Sequence, residues 1–357
     1  MQRKDGQMYA PVGRMQAVCE PGEFNIGVVG LDHGHIYGMC NGLVESGAGI
    51  THVWDSSPER LAAFVKAFPA AKIVASESEI YENHSIDMVA TAAIPSDRAG
   101  IILHALKSGK HAFSDKPAMT TRAQLTAIRS AVSQSKKHFA VYFSERLHVE
   151  AATYADYLIA DGSIGKVLQT MVLGPHRLNK PSRPDWFFQK EKFGGILTDI
   201  GSHQIDQILH YNNALSATVL SSKVGNYNNP EYPEFEDFGD ASLLCENGTS
   251  GYFRVDWFTP DGLSAWGDGR TIILGTEGYI ELRKYVDIAR KDAPNFVYMA
   301  NHKGEYTFDA SNTVGFPFFG RLIRDCLDDT ENAISQEYTF HVMELALTAQ
   351  EIALRIS

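Results

Sequence analysis

The sequence predicts an α/β fold in two parts: a doubly wound parallel α/β domain in front and an antiparallel α+β domain behind it. Three observations lead there. Apolar runs alternate with amphipathic stretches from residue 24 to about 145, the pattern of βαβ units with helices on both faces of a parallel sheet. After about residue 146 the runs become long and β-rich, and Asn-Gly and Gly-rich connections between them favour antiparallel pairing. Nothing repeats at a fixed period. The expected boundaries are 1–23 for an N-terminal extension, 24–145 for the first domain and 146–357 for the second.

In the first domain, 24–29 reads as a buried strand and 35–46 as a helix closed by Gly47. Residues 50–54 form a strand ending at Asp55, and 58–68 a helix with Pro58 in its first turn. Strands at 88–93, 111–114 and 139–143 alternate with helices at 96–108 and 120–135. In the second domain a helix at 148–160 precedes a strand at 166–173 and a loop rich in Pro, Arg and Trp. A helix carrying His203 follows, and then two hairpins, 241–245 with 249–257 and 270–274 with 279–285. Helices at 317–327 and 340–356 close the chain.

Composition narrows the partners. A formal net charge of -11 argues against nucleic acid or an anionic membrane surface, whose phosphates would be repelled. Cys19, Cys40, Cys245 and Cys326 are far apart, as expected of free thiols in a reducing compartment. The first residues lack the apolar core of a signal peptide, and no run approaches a membrane span, so a cytoplasmic protein is expected.

Three constellations carry chemistry. The first strand runs into Gly30-Leu31-Asp32-His33-Gly34-His35, where a dinucleotide fold aims helix N–H groups at a pyrophosphate. Of the glycines expected there, only Gly30 is in place; Gly34 lies one position early. Asp32 would repel a pyrophosphate unless it turns away to cap the helix, and His33 or His35 would offset it. Asp55 ends the second strand, where a carboxylate accepts ribose hydroxyls and repels a 2′-phosphate, favouring NAD over NADP. Its alternative role is a turn residue before Pro58. Arg60, on the next helix, bears on that choice. Metal ligation is not expected, because Asp32, His33 and His35 are too closely spaced in a sharp turn to share one ion.

The second constellation is Gly109-Lys110-His111 through Asp115-Lys116-Pro117, a strand ending in a cation at the sheet's ligand-binding edge. Lys116 there can hold a substrate hydroxyl, or else be an exposed turn lysine. The third is Asp199 and His203, four positions apart on one helical face after the Gly194-Gly195 pair. An imidazole can take and return a hydroxyl proton near neutral pH; the alternative is a helix cap and a satisfied polar residue. Upstream, His176, Arg177, Asn179, Arg183 and Trp186 offer an aromatic platform with hydroxyl-binding groups, and Arg146 is a further candidate.

Together these segments resemble the Gfo/Idh/MocA family of NAD(P)-dependent oxidoreductases, the glucose–fructose oxidoreductase and inositol dehydrogenase type. The resemblance rests on Gly27-Val28-Val29-Gly30, Asp55, the Asp115-Lys116-Pro117 block in place of the usual Glu-Lys-Pro, and Gly194-Gly195 through Asp199 and His203 to Asp206. It implies a Rossmann domain, then a domain with a large, mostly antiparallel open-faced sheet that mediates homodimers or homotetramers. It also implies Lys116, Asp199 and His203 as catalytic groups. Two stretches facing the expected cofactor depart from the pattern: the glycine turn, and Ala93-Ile94-Pro95 in the loop after the fourth strand. The expected activity is hydride transfer from a secondary alcohol of a sugar or polyol to NAD. A redox-neutral lyase or glycosidase with retained NAD, and a non-catalytic dinucleotide-binding protein, are the alternatives.

Overall fold

The computed structural model describes residues 5–7, 9–13, 15–290 and 294–356. Of the predicted extension 1–23, residues 1–4, 8 and 14 lie outside these. The chain divides into two units, one of Gln7–Tyr142 with Phe316–Phe340, the other of Met1–Gly6, Phe143–Gly315 and His341–Ser357.

The first unit begins with β1 (Asn25–Val29), α1 (His35–Glu45), β2 (Gly49–Trp54), α2 (Pro58–Ala67), β3 (Lys72–Ile73) and α3 (Ser78–Glu82). It continues through β4 (Met88–Thr91), α4 (Pro95–Lys107), β5 (His111–Asp115), α5 (Arg122–Ser135) and β6 (Phe139–Tyr142). All six strands are parallel, in the order β3-β2-β1-β4-β5-β6. Every residue of β4, β5 and β6 is buried, as a sheet covered on both faces requires. Helix starts follow local chemistry. Ser57 accepts from the Arg60 N–H with Pro58 at the first turn of α2, and Thr121 and Gln124 form a reciprocal cap on α5. The strand order reverses between β1 and β4, which makes their carboxyl ends the ligand crevice of an open α/β sheet. Gly30 leaves β1 at φ +83°, and a Cβ there would lie 2.6 Å from the Ala93 Cβ. Only glycine lets the two strand exits approach so closely.

The second unit holds α6 (Ser144–Leu147), α7 (Glu150–Ala160), β7 (Val167–Pro175), α8 (Lys190–Phe193), α9 (Ile196–Asp199) and α10 (Gly201–Tyr211). Seven strands follow: β8 (Ala217–Gly225), β9 (Phe238–Cys245), β10 (Ser250–Asp256), β11 (Arg270–Gly275), β12 (Gly278–Arg283), β13 (Phe296–Asn301) and β14 (Gly304–Asp309). The chain ends with α11 (Pro317–Asp328), α12 (Gln336–Ile352) and β15 (Leu354–Ile356). The nine-stranded sheet runs β14-β13-β12-β11-β7-β10-β9-β8-β15. It is antiparallel except where β7 lies parallel to β10 and β15 to β8. Both expected hairpins form, β9 with β10 and β11 with β12. Helix α10 packs on β7 and β10 and is buried over almost its whole circumference.

Several elements differ from the sequence reading. The helix expected at 148–160 is α7, starting two residues later, and the short helix α6 before it is additional. The helix expected at 340–356 starts earlier and stops at Ile352, because Leu354–Ile356 pair with β8. Strands β3, β8, β13 and β14 and helix α3 are additional. Among the described residues, no helix is long and apolar enough to cross a membrane.

Candidate functional site

At the carboxyl edge of the parallel sheet, the turn after β1 reaches two acidic side chains at once. The Leu31 N–H donates to Asp55 Oδ2 at 2.7 Å. On the other side, His35 Nδ1 lies 2.9 Å from Asp115 Oδ1 and His33 Nδ1 lies 3.3 Å from Oδ2. Asp55 directly follows β2 and Asp115 ends β5, so one turn ties together strand ends on both sides of the crevice.

Asp32 settles between its two expected roles in neither way. Helix α1 starts from Gly34 without a side-chain cap, and Asp32 pairs with Arg60 at 3.0 Å. Burial raises the Asp32 carboxyl above its usual range, against the pull of Arg60. Asp55, besides Leu31, accepts from the Ser57 N–H at 2.7 Å and from Arg60 Nε at 2.9 Å. The carboxylate expected to take ribose hydroxyls thus also serves as the turn residue before Pro58. Ala93 and Pro95 line the β4 exit, Ala93 against Gly30 and Pro95 as the first residue of α4.

Arg98, on α4, organises the end of β5. Its guanidinium donates to the carbonyls of Ala93, Lys116 and Pro117 and lies 3.0 Å from Asp115 Oδ2. Burial by itself would raise the Asp115 carboxyl, but His35, Arg98 and His33 outweigh it and hold the group well below the carboxylate range. Burial and the neighbouring His35 hold the His33 imidazole well below its usual value. Lys116 follows Asp115 directly and is buried.

In the second unit, Asp199 and His203 are carried by two helices, not one. Asp199 ends α9, Ile200 keeps helical dihedrals, and the His203 N–H bonds the Ile200 carbonyl at 3.0 Å. That i-to-i−3 bond tightens the join between the two helices. Both side chains are buried. The Gly194-Gly195 pair adopts φ +86° and +91°. Its openness serves the protein itself, since a Cβ on Gly195 would lie 2.2 Å from Gln350 Cδ. Gln350 Oε1 accepts from the Leu197 N–H and Glu236 from the Ile196 N–H, capping α9 from a distance.

Around α10 lies a buried polar network whose members Arg146, His176 and Asp206 the sequence singled out, but whose pairings and Lys284 it did not. Arg146 makes two 2.7 Å contacts to Asp206. Glu145 Oε1 accepts from Gln204 at 3.1 Å and lies 3.6 Å from His176 Nε2, while Oε2 is 3.5 Å from Lys284 Nζ. Lys284 is fully buried and also donates to Gln207 at 2.5 Å. Burial lowers its pKa, and Glu145 opposes that shift. Arg98 and Lys284 belong to no periodic pattern; Asp206 and Gln204, close to His203 in sequence, were the nearest legible signal.

The loop after β7 is held by its own arginines. Arg177 donates to the Pro260 and Leu263 carbonyls, and Arg183 to those of Leu178 and Arg177. The Arg183 guanidinium lies over Phe187 and Trp257, and burial lowers its pKa to about 10, with Asp5 and Asp199 opposing. His176 packs between Trp257 and Trp266. Phe187 and Phe188 anchor the loop, whereas Trp186 stays partly exposed.

Residues 24–143 match a family model described as "Oxidoreductase family, NAD-binding Rossmann fold", and residues 153–281 match the Gfo/Idh/MocA C-terminal domain. A levoglucosan dehydrogenase of Pseudarthrobacter phenanthrenivorans is 28% identical over 57% of this chain and 52% of its own length. An NADP(+)-dependent scyllo-inositol 2-dehydrogenase of Bacillus subtilis is 25% identical over 44% of each chain. The chain thus matches only about half the length of these curated relatives. A solved structure from Erwinia carotovora atroseptica, designated an oxidoreductase, is 48% identical over 94% of this chain and 100% of its own, with a TM-score of 0.91. Levoglucosan dehydrogenase in complex with NADH and levoglucosan shares the fold at 20% identity, over 92% of this chain and 95% of its own, with a TM-score of 0.73. With an NAD-binding Rossmann unit followed in chain order by the matching C-terminal domain, this chain belongs to the Gfo/Idh/MocA family of oxidoreductases.

Proposed function

We propose that the protein is an NAD-dependent dehydrogenase that removes hydride from a secondary alcohol of a sugar, polyol or related small molecule. The observation that carries this reading is the turn at 30–35, which binds Asp55 at the end of β2 and Asp115 at the end of β5. This is the sheet edge at which open α/β folds hold a dinucleotide, and Lys116 follows Asp115 there. The α1 N-terminus offers N–H groups to a pyrophosphate, and Asp55 offers a carboxylate to ribose. The relatives' names support a sugar or polyol substrate.

The cofactor, when bound, supplies the hydride acceptor. Lys116 holds the substrate oxygen and favours its alkoxide, His203 takes the hydroxyl proton, and Asp199 orients substrate and imidazole. Trp186 presents a sugar-stacking face, with His176 nearby in the chain for hydroxyls. Arg146, Arg177 and Arg183 act more narrowly than substrate ligands, because Asp206 and backbone carbonyls already engage them. NAD is preferred through Asp55, with Arg60 tempering the preference.

Assembly runs through the exposed face of the nine-stranded sheet, giving a homodimer or homotetramer. Leu168, Leu220, Leu244, Leu274 and Tyr279 support this as large exposed apolar side chains on five of its strands. Free thiols at all four cysteines support a reducing, cytoplasmic setting. Native mass spectrometry of the purified protein tests dinucleotide and assembly together. The expected species is a dimer or tetramer that takes up NAD(H); a protein that takes up neither NAD(H) nor NADP(H) overturns the reading.

A further inference from the structure

We propose that His33, His35 and Asp115 form a binding site for a divalent transition metal such as Zn2+, with one position open to an oxygen ligand. Three ligand atoms converge there from separate elements: His33 and His35 flank the start of α1, and Asp115 ends β5. All lie within 4.8 Å of one another. The nitrogen–oxygen separations are 2.9 Å from His35 Nδ1 to Asp115 Oδ1 and 3.3 Å from His33 Nδ1 to Oδ2. Bonds of about 2.0–2.1 Å in a tetrahedral zinc site give ligand–ligand edges of about 3.3–3.4 Å, so the cluster would draw together around an ion held by one Asp115 oxygen. Two imidazoles and a carboxylate with an open position is a donor set used by borderline divalent ions.

This is a different trio from Asp32, His33 and His35, whose short spacing disfavours joint ligation. Asp32 is turned to Arg60, and Asp115 replaces it from across the sheet edge.

The geometry at His33 brings two lone-pair-bearing atoms together, and a cation between them relieves their repulsion. The His35 N–H points at His33 Nδ1 at 3.3 Å, which calls for a bare nitrogen lone pair. The same Nδ1 lies 3.3 Å from the ionised Asp115 Oδ2, which calls for a proton. One nitrogen cannot satisfy both: the bare-Nδ1 tautomer faces the carboxylate lone pairs, and the Nδ1–H tautomer faces the His35 N–H. A metal takes the Nδ1 lone pair and the carboxylate together, with the His35 N–H giving up its contact to Nδ1. Arg98 fixes Asp115 from outside while its own position is set by three backbone carbonyls, the usual arrangement for a ligating carboxylate. Arg98 is also a cation, and α1 begins at this point, so the open position favours an anionic oxygen.

The test uses the full chain, stripped with chelator, dialysed against ZnCl2 without dinucleotide, and analysed for metal. The expected result is close to one zinc per chain in the wild type and at least about tenfold weaker binding in His33→Gln. Co2+ in place of zinc should give visible bands of a four-coordinate site that the variant lacks. A wild type that retains no metal overturns the proposal, as does His33→Gln with unchanged stoichiometry and spectrum, since the chain has 13 histidines that could bind elsewhere. If His33→Gln does not fold by circular dichroism, zinc-edge X-ray absorption of the wild type decides: two imidazole nitrogens in the shell support the site, and an all-oxygen shell overturns it. Because no dinucleotide is present, this outcome is independent of the dehydrogenase reading.

Discussion

Arg60 grips Asp55 Oδ1 from two nitrogens, at 2.9 and 2.8 Å, and the second of these also lies 3.0 Å from Asp32. One partly exposed cation therefore neutralises two carboxylates at the adenosine end of the expected nucleotide site. Removing it in Arg60→Ala should leave both carboxylates to repel a 2′-phosphate and free Asp55 for ribose hydroxyls. The ratio of NADP to NAD dissociation constants should rise by about tenfold, about 1.4 kcal/mol. Fluorescence titration with both reduced dinucleotides measures it, and an unchanged ratio would remove Arg60 from cofactor selection.

In the proposed mechanism His203 takes the hydroxyl proton. His203→Ala should lower kcat by about 10²–10⁴-fold with the fold intact by circular dichroism. Near-normal turnover with the true substrate would make that assignment wrong.

Lys116 is expected to stabilise developing negative charge on the substrate oxygen. Lys116→Gln should cost about 10²–10³-fold in kcat, with a smaller change in KM, because the interaction strengthens in the transition state. A rise in KM alone would instead identify Lys116 as a binding group.

Stability below neutral pH should depend on His111. Burial, with Lys137 and His138 adding to it, lowers the His111 pKa to about 3. The unfolded chain protonates this imidazole below about 6.5, while the folded chain resists until about 3, so the unfolded state binds more protons in between. Stability should fall with falling pH across that window by at most about 1.4 kcal/mol per unit, and His111 should contribute no slope above it. His111→Asn, which keeps an acceptor for the His138 N–H, should flatten the urea-midpoint profile there. An identical profile would show that His111 is not the titrating group.

Gly195→Ala places a methyl group 2.2 Å from Gln350 Cδ, on a backbone at φ +91°. The expected destabilisation is about 1–3 kcal/mol, since the side chain capping α9 must move. A double-mutant cycle with Gln350→Ala should show coupling above about 0.5 kcal/mol. Additive effects would place the strain in the backbone alone.

How much of this was legible depended on whether a signal was local. Strands β1, β2, β4, β5 and β6 announce themselves as buried apolar runs ending in turn residues, and the sequence places each within two residues. Strand β3 has two residues, both exposed, and leaves no apolar run to find. Hairpins β9–β10 and β11–β12 are written in their turns, but nothing local says that β7 inserts between β10 and β11. Leu354–Ile356 continue a helical pattern in sequence and become a strand only because β8 offers an edge. At the site, Asp55, Arg60, His33, His35 and Asp115 can each be singled out by residue type and position. Their pairings cannot, because they join a turn, a strand end and a helix far apart in sequence. Arg98 and Lys284 were invisible as organisers: a buried cation bonded to carbonyls or amides has no periodicity to betray it.

The most direct test of the central claim is to supply NAD and a panel of sugars and polyols, and to count reduced nicotinamide against oxidised product. The account predicts one NADH formed for each secondary alcohol oxidised. Product formed without net NADH, as in a redox-neutral elimination, or bound NAD with no turnover on any substrate, would contradict it.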